Sequence, residues 1–213
     1  MHNVRAAFAP VQRARAASSK GEQVRTIVAV TGASGAVIAR RLLEELEGER
    51  HLIISRNGAL IAGHELTGEG GRSGPEVLMG LADRTYPDDD LSAPASSGAH
   101  PFDAMVIVPC SLSTLSKIAC GIADTLVTRA ASVCMKEGRL LVLVPREAPL
   151  TAIHLENMAA LAALGVVIFP PMLSFYHRPT TLEQAVDNVV GRLLNILGQE
   201  NDLAKRWDGP GTS

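Results

Sequence analysis

The sequence predicts an α/β fold with three layers, in which a mostly parallel sheet of about five or more strands lies between two layers of helices. Two observations lead to this prediction. Five short apolar runs recur along the chain, and most are separated by segments in which apolar residues have helical spacing. The runs are apolar throughout rather than alternating, which is typical of parallel strands covered on both faces.

The first apolar run, residues 27–30, leads directly into the turn Thr31-Gly-Ala-Ser-Gly35 and then into a helix from Ala36. Free backbone N–H groups and the positive end of a helix dipole make such a turn a natural site for an anion, above all a phosphate. The turn fits neither the Walker A pattern nor G-x-G-x-x-G, whose three glycine steps fall on Gly32, Ser34 and Ile38. A phosphate site and an ordinary strand-to-helix turn therefore both remain open at this point.

The remaining elements follow in the same alternating order. Further strands are predicted at 51–55, 104–108, 140–144 and 165–169. Helices are predicted at 111–120, from a cap at Asp124 to near Gly138, from Thr151 to residue 164, and from a Thr180–Glu183 capping box to residue 197. Residues 63–100 are rich in Gly, Pro, Ser and Asp and contain one short helical piece, which is typical of a functional or mobile segment.

Composition excludes several classes of protein. The chain of 213 residues suits one domain, and its formal charge of −2 argues against a nucleic-acid binder. No apolar run is long enough to cross a bilayer. The three cysteines lack metal-ligand spacing and indicate a reducing, cytoplasmic location. Residues 1–22 are basic, with no acidic residue before Glu22, which predicts a disordered extension or, alternatively, a mitochondrial transit peptide.

In a parallel α/β sheet, ligands bind beyond the carboxyl ends of the strands. The segments that follow the predicted strands are small, polar or charged: TGASG at 31–35, Ser55, PCSLST at 109–114, PREAP at 145–149 and PPMLSFYHRP at 170–179. The segment from Ser111 to Thr114 repeats the arrangement of the first turn, with hydroxyl and N–H groups at the start of a helix. We therefore expect the functional site at this edge.

Charged residues near this edge suggest the chemistry. Arg129 and Lys136 are seven residues apart and share one face of a predicted helix, which is either solvated or anion-binding. Arg146 suits bidentate phosphate recognition, and the neighbouring Glu147 could carry a proton in a closed cleft, although a local ion pair would explain both. Arg192 lies among apolar neighbours, so its charge either reaches water or points at an anion.

Taken together, these segments resemble the flavin prenyltransferases, the family related to UbiX. The resemblance spans residues 25–207 and rests on TGASGA (31–36), LIIS (52–55), PCSLSTLS (109–116), KEGRLLVLVPREAPL (136–150), IHLENM (153–158), FYHRP (175–179), VGRLLN (190–195) and the pair RW at 206–207. It implies a flavodoxin- or Rossmann-like domain over residues 23–200. It also implies a C-terminal tail, 201–213, that closes the site or contacts a neighbouring subunit.

The resemblance further implies a reaction. Members of this family join a dimethylallyl group from dimethylallyl phosphate, or in some members the diphosphate, to N5 and C6 of reduced FMN. No metal is required. The product, prenylated FMN, serves decarboxylases of the UbiD type, and the enzymes assemble as large homo-oligomers, typically dodecamers.

The resemblance also implies roles for those residues of this chain that match the family's motifs. FMN-binding positions match Gly32, Ala33, Ser34, Ser55, Ser111, Leu112, Ser113, Thr114 and Arg146. Positions around the prenyl phosphate match Lys136, Tyr176 and Arg192, with Arg129 as a contributor and Trp207 closing the site. Glu147 matches the acid/base residue. Asp90-Leu91-Ser92 stands where several relatives carry an aromatic residue, and residues 95–98 read Ala-Ser-Ser-Gly instead of Ala-Ser-Gly-Ser. These departures leave the choice of prenyl donor open.

Three other functions share features with this sequence. A flavin-dependent cysteine decarboxylase would share the fold and the FMN pocket, but this chain has Pro109-Cys110-Ser111 where that group has an Asn-containing motif, and it lacks that group's helix-borne His. A short-chain dehydrogenase needs Tyr-x-x-x-Lys, whereas Asp90 follows Tyr86 and Thr180 follows Tyr176 at that spacing. A non-catalytic flavin-binding subunit of a decarboxylase complex would carry the same binding residues, so it stays open.

Overall fold

The computed structural model describes residues 23–204 and 209. Its centre is a six-stranded sheet in the order β3-β2-β1-β4-β5-β6, with every neighbouring pair parallel. The strands are β1 (Arg25–Val30), β2 (Glu49–Ile54), β3 (Arg84–Pro87), β4 (Ala104–Cys110), β5 (Leu140–Pro145) and β6 (Val167–Ile168). The order reverses between β1 and β4, and ligands of such sheets bind at that crevice.

Seven helices cover the two faces of the sheet in the described part of the chain. They are α1 (Ala36–Glu45), α2 (Arg56–Glu65), α3 (Gly74–Leu81), α4 (Leu112–Ala119), α5 (Leu126–Lys136), α6 (Ala152–Ala163) and α7 (Leu182–Ile196). Side chains of α1 and α7 pack on one face with Val28 and Val30, while α4, α5 and α6 pack on the other with Ile27 and Ala29. The three-layer α/β prediction is confirmed, and the uniformly apolar runs are strands buried from both sides.

Two elements were not predicted. The edge strand β3 reads RTYP, and its side chains are exposed or half-buried because only β2 pairs with it, so it carries no apolar run. The helix α2 reads RNGALIAGHE and buries only Gly58 and Ala62, so its amphipathic signal is weak.

Two helix caps lie one residue later than predicted. Thr125, not Asp124, caps α5, since its hydroxyl oxygen accepts a hydrogen bond from the Thr128 amide. Thr181, not Thr180, caps α7 by accepting from the Gln184 amide. The predicted cap of α6 at Thr151 is confirmed. Within residues 23–204 and 209, no helix has the length and apolar character required to cross a membrane.

Candidate active site

A cavity of about 460 Å³ opens at the carboxyl edge of the sheet, beside the reversal between β1 and β4. We call it the cradle. Its volume falls in the range of small-molecule sites. Its lining is mostly polar and is drawn from five separate segments of the chain: Thr31, Gly32, Ser55, Arg56, Asn57, Asp88, Ser111, Ser113, Thr114, Lys117, Thr125, Val127 and Thr128.

Three helices begin at the cradle. The caps of α2, α4 and α5 are Ser55, Ser111 and Thr125, and each hydroxyl accepts a hydrogen bond from an amide of the first turn. The other first-turn amides of a helix have no intrahelical partner, and the helix dipole places partial positive charge there. At α5 the amides of Leu126 and Val127 already donate to Asp88, so α2 and α4 are the helices that offer amides to a ligand. The cradle is therefore suited to an anion, with hydroxyl groups available for a polar ligand.

Thr31 holds the two central strand ends together beneath the cradle. Its hydroxyl donates to the carbonyl of Pro109 at 2.9 Å, and the same oxygen accepts from the Ser111 amide at 2.7 Å. Its own amide also donates to the Pro109 carbonyl. Thr31 is buried, so these bonds are shielded from water. The start of α4 is thereby fixed relative to the turn after β1.

The amino end of α1, which the sequence suggested as a phosphate site, is occupied by a side chain of this protein. The Glu65 carboxylate accepts hydrogen bonds from the amides of Gly35 at 2.9 Å and Ala36 at 2.7 Å. The TGASG turn therefore contributes Gly32 to the cradle, while the helix start beyond it binds a carboxylate. Glu65 was missed by sequence reasoning because it lies 30 residues beyond Gly35 in a helix that was itself not predicted.

The segments after β1 and β5 meet as predicted. The Arg146 guanidinium donates to the Ser34 carbonyl at 3.1 Å across 112 residues of sequence. Glu147 is exposed beside it, and its carboxylate accepts from the Ala148 amide at 3.1 Å. Arg146 and Glu147 form no ion pair with each other in the described part of the chain, so that alternative reading is wrong. Ala33 and Leu112, predicted FMN-binding residues, do not line the cradle.

Arg192 and Tyr176 lie near the end of β6. The Arg192 guanidinium carbon lies 5.5 Å from the centroid of the Phe169 ring, and Phe169 directly follows β6 and donates its amide to the Leu143 carbonyl. Tyr176 is 46% exposed. Its ring meets His177 edge-on at 5.2 Å. Arg192 is thus at the side of β5 and β6, and β5 leads directly into Arg146.

Arg129 and Lys136 lie elsewhere. Arg129 donates to the Ser96 carbonyl at 3.0 Å, and the Lys136 ammonium pairs with Glu137 beside Gly98. Both cations thus border the loop 94–98, and we call this region the α5–loop surface. The prediction that they share one helix face is confirmed.

The single chain does not bring Lys136 to the carboxyl edge. Helix α5 begins at the cradle and runs back for 11 residues, roughly 16 Å, so that Lys136 lies near the amino end of β5. The expected grouping of Lys136 with Tyr176 and Arg192 therefore stays a prediction that needs a second copy of the chain. Trp207 lies outside the described residues.

Burial lowers the reactivity of two of the three cysteines. It raises the pKa of the Cys110 and Cys134 thiols to about 12, so neither is a nucleophile at neutral pH.

At the cradle, the Lys117 ammonium donates a hydrogen bond to the Asp124 carboxylate at 2.7 Å, and this hydrogen bond lowers the pKa of Asp124. Among residues 23–204 and 209, no three His, Cys, Asp or Glu side chains are grouped so as to hold a metal ion.

Comparisons with known proteins agree with the geometry. The Flavoprotein family profile matches residues 14–194. Flavin prenyltransferase UbiX of Thermoplasma acidophilum is 46% identical over 185 residues, 86% of this chain and 100% of that protein.

Two crystal structures are similar to the fold. AnUbiX (PadA1) in complex with FMN and dimethylallyl pyrophosphate has a TM-score of 0.84 and 38% identity, covering 88% of this chain and 99% of the other. A dodecameric FMN-dependent UbiX-like decarboxylase from Escherichia coli O157:H7 has a TM-score of 0.82 and 42% identity, covering 87% and 100%. The chain therefore belongs to the flavoprotein family and, within it, to the UbiX-like flavin prenyltransferases.

Proposed function

We propose that this protein is a flavin prenyltransferase that joins a dimethylallyl group from dimethylallyl phosphate or diphosphate to N5 and C6 of reduced FMN. The observation that carries the proposal is the meeting of three helix starts in one cavity, beside Arg146 and Glu147, in a chain of this family. Reduced FMN, when bound, supplies the electron-rich atoms to which the five-carbon group is added.

The cradle fits FMN by its donor set. A phosphate dianion requires several N–H donors, and the starts of α2 and α4 supply them together with the hydroxyls of Ser111 and Thr114. We propose that Gly32, Ser55, Ser111, Ser113 and Thr114 hold the flavin. The remaining FMN-binding positions proposed from the resemblance are Ala33, Ser34, Leu112 and Arg146.

The donor phosphate needs full positive charges, because it leaves with the electron pair of the broken C–O bond. We propose that Arg192 and Tyr176 of one subunit and Arg129 and Lys136 of another surround it. This division accounts for the separation of the two groups within one chain. The protein would then act as a homo-oligomer, a dodecamer by analogy with the Escherichia coli relative, and Trp207 would help to close the site.

Glu147 is proposed as the acid/base residue. It follows β5 directly after Arg146, and the hydrogen bond from Ala148 limits where its carboxylate can lie. Prenyl transfer releases protons from the acceptor, so a carboxylate at this edge would take them up. A neighbouring subunit that covers this exposed group would exclude water from the reacting atoms.

The test is an anaerobic incubation of the full chain with reduced FMN and dimethylallyl phosphate or diphosphate, followed by mass spectrometry for flavin with one added five-carbon unit. We expect product with at least one donor. Glu147→Gln should slow turnover by about 10²- to 10⁴-fold while FMN stays bound. Glu200→Gln, which removes an exposed carboxylate far along the chain, is the control.

A protein that binds FMN tightly but yields no product with either donor would be a flavin carrier for a decarboxylase instead. That alternative is favoured by the exposure of Glu147 in the single chain. We propose a UbiD-type decarboxylase as the recipient of the product and the cytoplasm as the location. Import of a fluorescent protein fused to residues 1–22 into mitochondria would revise the location.

A further inference from the structure

The α5–loop surface is connected to a buried aromatic cluster at the amino edge of the sheet. At its centre is His51 on β2, which is 1% exposed. The His51 ring lies parallel to that of Tyr86, with centroids 5.8 Å apart, and its Nδ1 lies 3.0 Å from the Tyr86 hydroxyl. Its Nε2 lies 3.2 Å from the carboxylate of Glu49 but outside hydrogen-bond alignment. The ring is therefore held by contacts on two strands.

Glu49 is itself fixed by two cations. Its carboxylate oxygens accept from Arg25 on β1 and from Arg84 on β3, each at 3.0 Å. Burial lowers the pKa of His51, so the imidazole is neutral at physiological pH. A neutral ring of fixed orientation can support an aromatic neighbour without the cost of a buried charge.

That neighbour is Phe102, the last buried residue before β4. Its ring meets His51 edge-on, with centroids 4.7 Å apart and planes at 89°, and it is 3% exposed. The chain just before it folds back on itself: the Phe102 amide donates to the His100 carbonyl, and the His100 amide donates to the Ser97 carbonyl. Phe102 thus anchors the carboxyl end of the loop that begins at residue 94.

The same loop also contacts the cationic side chains of Arg129, Arg139 and Lys136. Its Ser96 carbonyl accepts from Arg129, and its Gly98 carbonyl accepts from Arg139 at 2.7 Å. Gly98 also lies so close to Lys136 that a Cβ there would be 2.6 Å from the ammonium nitrogen. A shift of the loop would therefore move Arg129 and restrict Lys136.

We infer that His51 is a positioning residue for the donor phosphate: through its ring contact with Phe102 it sets the loop 94–102, and the loop sets Arg129 and Lys136. The inference rests on the proposed function, because it assumes that these two cations hold the donor. It assigns no direct contact between His51 and either substrate. Packed side chains are able to transmit such coupling, and a double-mutant cycle measures it.

The test uses the full chain with His51→Ala, Phe102→Ala and the double variant. Each single variant should raise the KM for dimethylallyl phosphate about five- to tenfold, since small displacements of a binding group are costly, with kcat and the Kd for FMN within about twofold of wild type. The double variant should be no worse than the more affected single variant. Phe102→Leu, which keeps an apolar side chain in place, should recover most of the KM.

Leu43→Ala is the control for destabilisation, because Leu43 is fully buried in the core on the opposite face. It should lower stability without raising the KM for the donor. An equal rise of KM in Leu43→Ala, or fully multiplicative effects of His51→Ala and Phe102→Ala, would overturn the inference.

Amide hydrogen exchange separates this inference from the proposed function. His51→Ala should accelerate exchange at residues 95–102 and leave the amides of β1 unchanged, whether or not the wild-type protein makes prenylated flavin. Acceleration spread over the whole sheet, as in Leu43→Ala, would reduce His51 to a core residue. An inactive wild type with local acceleration would refute the proposed function and retain the role of His51 in placing the loop.

Discussion

The cradle and the α5–loop surface both suit phosphate groups, but they are built on opposite principles. The cradle uses the partial charges of three helix starts, and Thr31 fixes two of its walls by hydrogen bonds to the ends of the central strands. The α5–loop surface uses the full charges of Arg129 and Lys136, which lie two turns apart on one helix, with Lys136 near the amino end of β5. Fixed backbone amides suit the phosphate of a cofactor that remains bound. Flexible cationic side chains suit the phosphate of the prenyl donor, whose negative charge increases as its bond to carbon breaks.

The comparison also shows which part of the proposed site a single chain forms completely and which part it does not. Every wall of the cradle comes from the described residues of a single chain. The cations proposed for the donor fall into two groups, with Arg192 on one side and Arg129 and Lys136 on the other. A site that requires both groups must be completed by a second copy.

Complementation between subunits gives the largest expected effect. Lys136→Met and Glu147→Gln should each lower prenyl transfer by at least about 10²-fold, because each removes charge stabilisation or proton transfer. Co-expression of the two variants with different tags should restore a measurable part of the activity in mixed assemblies, since some sites then combine the intact Glu147 of one chain with the intact Lys136 of another. Mixed assemblies as inactive as the parents would mean that one chain supplies both groups.

A steric change in the cradle comes next. A Cβ on Gly32 would lie 2.6 Å from the Cβ of Asn57, so Gly32→Ala should push the turn away from the start of α2. Overpacking of this kind costs about 1–3 kcal/mol, which corresponds to a loss of FMN affinity of about 10- to 100-fold, measurable by fluorescence titration. Gly63→Ala is the matched control, because nothing lies within 4 Å of that position and α2 should gain stability. Equal affinities of the two variants would contradict the assignment of the cradle to FMN.

The folding stability should decrease at acid pH because of His51, which lies near the amino edge of the sheet. Burial lowers the pKa of His51, so between that value and the ordinary one near 6.5 the unfolded chain binds a proton that the folded chain does not. Stability should therefore fall as the pH drops below about 6.5, by at most about 1.4 kcal/mol per pH unit from this residue.

Urea unfolding between pH 8 and pH 5 measures this effect. His51→Gln, which cannot titrate in that range, should show a shallower decline than the wild type. FMN binding at the cradle should not share the difference. Parallel declines of the two proteins would show that other groups cause the acid sensitivity.

Two helix caps provide the smallest effect. Thr125→Ala and Thr181→Ala each remove a hydroxyl that accepts from a first-turn amide, of α5 and α7 respectively. Both should cost about 1 kcal/mol of unfolding free energy. Only Thr125 lines the cradle, so only Thr125→Ala should also weaken FMN binding by a few-fold. A similar loss of affinity in Thr181→Ala would point to general destabilisation.

Much of the fold could be predicted because its central strands carry an unmistakable signal. The runs at 27–30, 104–108 and 140–144 are apolar without interruption and became β1, β4 and β5. The edge strand β3 could not be predicted, because a strand with one neighbour and little burial needs no apolar pattern. The position of the site at the carboxyl edge followed from the parallel topology alone.

The arrangement within the site was harder to predict. Spacing placed Arg129 and Lys136 on one face, but it does not say which edge of the sheet a residue reaches. The relevant signal was available, since Lys136 comes four residues before β5 begins and must lie near that strand's start. Glu65 gave no such signal, because the hydrogen bonds that define its role come from residues distant in sequence.

Glu65 has one further consequence. The Glu65 carboxylate accepts from the first amides of α1, so the amides at the starts of α2 and α4 are left to attract a dianion at the cradle. A phosphate ion that approached the first turn of α1 would therefore compete with the Glu65 carboxylate for the same amides. The protein thus directs a bound phosphate towards the cradle by occupying the start of α1 with a side chain of its own.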